Sequence, residues 1–164
     1  MVLFLFIGTT LFAQEKSKKQ LRAERAIEKQ QQTEALINAK EFVFIGRTAI
    51  PTGFKTMNLT SNPNYVKFYP DRIESSMPFF GKAYSSIGYG GDGGLKFEGK
   101  PEEYTFTKEA KNYQIKATVK GKNDIFKLSL SVSFEGSSTL TIISNSRSPI
   151  SYNGEISAPE KPKE

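Results

Sequence analysis

From Phe42 onward the sequence alternates. In "NYQIKATVKG", Tyr113, Ile115, Ala117 and Val119 fall on one side, and Gln114, Lys116, Thr118 and Lys120 on the other. "DIFKLSLSVSFEG" repeats the pattern, with Phe126, Leu128, Leu130, Val132 and Phe134 inward and Lys127, Ser129, Ser131, Ser133 and Glu135 outward. A sustained period of two describes strands with one face on a core and the other in water. "KGKN" and "EGS" between the late strands suit hairpins with a glycine at positive φ. Residues 112–155 are therefore expected to form an antiparallel meander.

Weaker signals of the same kind precede it. "EFVFIGRTAIP" is a strand ended by Pro51, "TMNLTS" and "YVKFYP" flank the turn signal "NPN", and "RIESSM" and "YTFTKE" follow. "STLTIIS" and "PISYNGEI" complete the set. Phe (13) and Tyr (7) dominate the aromatic content, which favours pleated, half-buried surfaces. About nine short strands predict a mainly β domain over residues 41–156, a single antiparallel barrel or sandwich.

The segment before Phe42 differs. Residues 14–40 are rich in Lys, Glu, Gln, Ala and Leu and lack Gly and Pro, so a helix is expected from about Lys18 to Asn38. Its apolar positions are sparse, so only its C-terminal half is expected to dock on the β domain. Residues 15–40 hold seven basic and four acidic side chains. A basic arm for a membrane surface or nucleic acid is the sharper reading of this segment, and a solvated helix the plainer one. The net charge of +6 is spread too thinly for a nucleic-acid-binding face, and no nucleic-acid partner is expected.

"MVLFLFIGTTLFA", residues 1–13, has the apolar run and small terminal residue of a secretory signal peptide, with cleavage expected before Gln14. It lacks the usual basic leading region, as expected if translation starts further upstream. The run is too short to span a bilayer, so no transmembrane span is expected in the mature protein, which would be periplasmic or extracellular. "APEKPKE" at the other end is rich in Pro and charge, and residues 157–164 are expected to be disordered.

The sequence has neither Cys nor His. That removes thiol nucleophiles, serine–histidine triads, and imidazole or thiolate metal sites. Enzymatic chemistry would fall to carboxylates, Tyr or Lys. Asp71 and Glu74 are neighbours in sequence, but their spacing in a β segment fixes nothing about convergence. The expectation is a non-enzymatic protein with no cofactor and no metal.

"SIGYGGDGGLKF" contains Gly88, Gly90 and Gly93, a literal G-x-G-x-x-G. A dinucleotide turn needs a following helix to hold the pyrophosphate, and here a strand-like segment follows. Calcium needs several carboxylates, and Asp92 is the only one between Glu74 and Glu98. The glycines read instead as a loop with little steric restraint that links two strands and crosses an end of the sheet.

"MPFFGKAYSSIGYGGDGGLKFEG" resembles the motif of the domain of unknown function 4251 family, a group of uncharacterised exported Bacteroidetes proteins. The family pattern "LPYFGRAY" is met at Met77–Tyr84, with Met77 for Leu, Phe79 for Tyr and Lys82 for Arg, followed by a Gly-rich loop and a strand through Leu95 and Phe97. "FVFIGRTAIPTG" (42–53) is similar to the family's opening strand. "ISNSRSPISYNGEI" (143–156) is similar to its closing signature through Arg147, Ile150, Tyr152 and Gly154. The resemblance spans roughly residues 35–156 and implies an exported, mainly β domain preceded by a helix. It implies no activity.

Phe79, Phe80, Tyr84 and Tyr89 sit beside the glycine loop, with Arg147 and Tyr152 on a later strand. Aromatics with one arginine suit a glycan, a peptide or a lipid, and these six residues are the binding candidates. The expected function is an exported binding module of unknown ligand. The alternative is an envelope protein that docks on another exported protein, without a small-molecule pocket.

Overall fold

The computed structural model describes residues 17–59, 64–84 and 93–160. The signal-like segment 1–13, the cleavage point at Gln14, Tyr89 and the end of the tail lie outside the described residues, as do Gly88, Gly90, Gly91 and Asp92.

The alternating sequence forms one antiparallel sheet. Helix α1 (Lys18–Ala39) is followed by β1 (Phe42–Pro51), β2 (Met57–Asn58), β3 (Tyr65–Phe68), β4 (Ile73–Met77) and β5 (Leu95–Gly99). Then come β6 (Pro101–Lys108), β7 (Asn112–Lys120), β8 (Ile125–Ser133), β9 (Ser137–Ser144) and β10 (Ile150–Ser157). The order across the sheet is β5-β4-β3-β1-β10-β9-β8-β7-β6, with β2 paired to the second half of β1. The expected 112–155 meander is present, and its register sets Ile115 opposite Leu130 and Leu130 opposite Leu140.

The two ends of this order, β5 and β6, are consecutive in the chain and separated only by Lys100. One bent segment pairs with β4 through its first half and with β7 through its second. The sheet thus curls into a nearly closed barrel, the first of the two expected architectures. At the seam, the Phe97 ring of β5 stacks on Phe126 of β8 with centroids 4.1 Å apart. Gly99 permits the approach, because a Cβ there would lie 2.9 Å from the Lys120 carbonyl oxygen.

The inward residues fill the barrel. Phe42, Phe44, Val66, Leu130, Val132, Leu140 and Tyr152 are completely buried. Phe134, the last of the expected inward row, lies in the turn beyond β8, where it packs half-buried against the core with its ring on Tyr113. The hairpin glycines also differ. Gly136 has φ of 93°, as the "EGS" turn requires, but Gly121 of "KGKN" does not adopt positive φ.

Ser17 and Gln20 form a capping box at the start of α1, and Lys40 ends it in the left-handed conformation. Most of the helix up to Gln32 is exposed, and Thr33 and Ile37 are its buried residues. Glu34 takes hydrogen bonds from Lys108 Nζ (2.9 and 3.0 Å) and the Tyr113 hydroxyl (3.0 Å). Lys40 lies over the Tyr104 ring. The C-terminal half therefore docks at the end of the barrel marked by the 108–113 and 133–137 turns. Among the described residues no helix is long and apolar enough to cross a membrane.

Candidate functional site

The opposite end of the barrel carries the family-like motif. Segment 78–84 runs from the end of β4 and meets segment 145–149, which joins β9 to β10. Ala83 and Arg147 form an isolated antiparallel bridge. Around it, the Tyr84 amide donates to the Ser146 carbonyl at 2.8 Å and the Ser148 amide to the Lys82 carbonyl at 2.9 Å. The Lys82 amide donates to Ser148 Oγ at 3.1 Å. Gly81 makes this packing possible: a Cβ there would sit 2.5 Å from Ser148 Oγ and 2.8 Å from the Phe79 ring.

Arg147 joins both sides of the glycine loop. Its backbone bridges Ala83 on the entry side, and its Nη1 donates to the carbonyls of Gly93 (2.7 Å) and Gly94 (2.9 Å) on the exit side. The guanidinium also lies 5.1 Å from the centre of the Phe79 ring. Tyr152, on the inner face of β10, donates its hydroxyl to the Pro78 carbonyl at 2.6 Å. Burial pushes the Tyr152 phenol well above its ordinary pKa, so it remains a neutral donor.

The six candidates thus separate by position. Arg147 meets Phe79, and Tyr152 meets the backbone just before Phe79. Phe79 and Phe80 are half-buried against the core, and Tyr152 is completely buried. Tyr84 stands apart at 67% exposure, held by its backbone beside Ser146.

Next to Tyr84 is a groove of about 510 Å³ that the sequence did not single out. Its walls are the 120–125 turn and residues 145–146. Asp124 organises them: it accepts from the amides of Ile125 (2.8 Å) and Asn145 (3.0 Å) and from the Ser146 hydroxyl. Burial alone would raise the Asp124 carboxyl, but these hydrogen bonds outweigh it and hold the pKa below the usual value. Asp124 is thus an ionised structural anchor with its acceptor sites occupied. Lys120, Lys122, Asn123 and Asn145 remain exposed around the groove.

Two other places offer a groove or neighbouring carboxylates. A groove of about 680 Å³ separates α1 from the far end of the barrel, and none of the six candidates lines it. Glu74 is occupied by the Tyr65 hydroxyl at 2.9 Å and by Lys67, and Asp71 pairs with Arg72. Among the described residues no cluster of three or more acidic side chains is arranged to hold a metal ion.

Comparison with known proteins bears on the fold and the family. The chain resembles a crystal structure of a DUF4251 family protein from Bacteroides eggerthii DSM 20697, with a TM-score of 0.63 and 18% identity. The match covers 80% of this chain and 88% of that one. At that identity it speaks for the fold. No curated protein matches the chain. The family model described as "Domain of unknown function (DUF4251)" matches residues 24–156, reaching further into α1 than the motifs alone suggested. That match includes the barrel, the docked half of the helix and the Arg147 junction, and the chain belongs to the DUF4251 family.

Proposed function

We propose that this protein is an exported, non-enzymatic binding module, and that it binds through the groove beside Tyr84. One observation carries the reading. The Ala83–Arg147 bridge fixes an exposed aromatic ring at the rim of a groove whose opposite wall is held by Asp124. Binding sites favour such a set, with a rigid scaffold and a few polar groups around an aromatic face. The structural contacts that occupy the Asp124 and Glu74 carboxylates support a role without general acid–base chemistry. Export is supported by the signal-like residues 1–13.

The test is native mass spectrometry of protein isolated from its host envelope. A non-covalent small mass that is lost on unfolding, and absent from a Tyr84→Ala variant, is the expected result. A mass retained in that variant would overturn the assignment to this groove.

A second reading, docking on another exported protein, draws support from the exposed Ile50, Phe54, Met57 and Ile143. In the same experiment it predicts a protein-sized partner and no small mass.

A further inference from the structure

The groove's chemistry selects among the possible ligands. We infer that it takes an acidic saccharide, a sugar carrying a carboxylate or sulfate. The inference rests on the groove reading above and narrows it.

The groove offers an open aromatic face on Tyr84, the amides of Asn123 and Asn145, and the ammonium groups of Lys120 and Lys122. Among the described residues neither lysine takes part in an ion pair. The one acid in the wall, Asp124, has its oxygens occupied by the amides of Ile125 and Asn145 and by Ser146. The field facing a ligand is therefore positive.

An acyl chain fits poorly. Ile125 is the single large aliphatic side chain of the lining, and hydrocarbon over Lys120 and Lys122 would strip them of water without compensation. An extended peptide fits poorly as well. Strand addition needs free backbone amides, and those of Asn145 and Ser146 already donate to Asp124. A pyranose ring suits what remains. Its flat apolar face covers an aromatic ring, its hydroxyls pair with side-chain amides, and an acidic substituent meets the two ammonium groups.

The test is an NMR titration of the protein with tetragalacturonate and with a neutral galactose tetrasaccharide, at low and moderate salt. Tetragalacturonate is expected to shift the amides of 121–125, 145–146 and Tyr84, and to bind several-fold more tightly than the neutral sugar. The preference should shrink as salt rises. The double variant K120Q/K122Q should lose roughly five- to twentyfold in affinity for tetragalacturonate and little for the neutral sugar. Tyr84→Ala should weaken both. Equal affinity for the two sugars would overturn the acidic preference while leaving the groove reading standing. Shifts confined to other surfaces, or none with either sugar, would overturn the saccharide assignment. So would tighter seating of a single-stranded oligonucleotide in the same groove. The envelope mass experiment judges the groove itself.

Discussion

Arg147 donates to the carbonyl of Gly93 at 2.7 Å while its own backbone bridges Ala83. One residue therefore ties the chain entering the glycine loop to the chain leaving it. Segments held by a rigid β scaffold often carry recognition. Here the same junction also places Tyr84 at the groove.

Removing the guanidinium should loosen both ends together. Arg147→Ala deletes two charge-assisted hydrogen bonds and the contact with Phe79. Bonds of this kind are each worth about 1.5–3 kcal/mol when the partner is left unpaired, less where water can replace it. The unfolding free energy from urea titration should fall by an amount in the lower part of that range, and proteolytic cleavage between residues 79 and 95 should quicken. Arg147→Lys should rescue only part, because a point-like ammonium cannot span two carbonyls and cover a ring as a planar fork does.

Gly81→Ala should be costly although residue 81 is exposed. The added methyl would collide with Ser148 Oγ and the Phe79 ring. Overpacking of this type costs about 1–3 kcal/mol. Thermal melts should show the loss, and Ser148→Ala in the same chain should return part of it.

Two buried phenols make the barrel sensitive to alkali. Burial pushes the Tyr104 pKa up to about 12, and Tyr152 is raised as well. The folded state thus holds these protons more tightly than the unfolded chain. The resulting stability is complete below about pH 10, the ordinary phenol value, and is lost as pH rises through the folded pKa. Urea midpoints measured from pH 8 to pH 11 should fall above pH 10. Tyr104→Phe should reduce that fall. It should cost little at neutral pH, since the buried Tyr104 hydroxyl has no hydrogen-bond partner among the described residues.

The helix tether responds to acid. The hydrogen bond from Lys108, helped by Tyr113, holds the Glu34 carboxyl below its ordinary pKa. A depressed carboxylate contributes stability above the unfolded value, and that contribution fades as pH falls through the folded one. The carboxyl resonance of Glu34 should titrate below that of a free glutamate and move back up in a Lys108→Met variant. Amide protection around Ile37 should fall in acid, and Glu34→Gln should flatten that dependence.

The barrel was legible because its signal is local. Alternation at 113–119 and 126–132 fixes which face is buried, and antiparallel hairpins follow from short turns. The helix was legible from composition and a clear stop at Phe42. Closure was not, because it depends on one bent segment, 95–108, pairing on one side with β4 and on the other with β7, two strands far from each other in sequence. The candidate site was half legible. Aromatics beside a glycine loop drew attention to Phe79, Tyr84 and Arg147, but alternation could not show that Tyr152 turns inward to Pro78 while Tyr84 turns out. "KGKN" reads as a plain hairpin turn, and Asp124 as the residue that opens the next strand. The role of Asp124 appears only once β8 brings it beside Asn145 and Ser146.

The most direct test of the account is hydrogen exchange on wild type and Arg147→Ala. If Arg147 joins the two ends of the loop and positions the groove, amides 81–84, 94–95 and 145–148 should lose protection together while β7 and β8 keep theirs. Unchanged protection at 81–84, or a loss confined to residues 93–95, would contradict it.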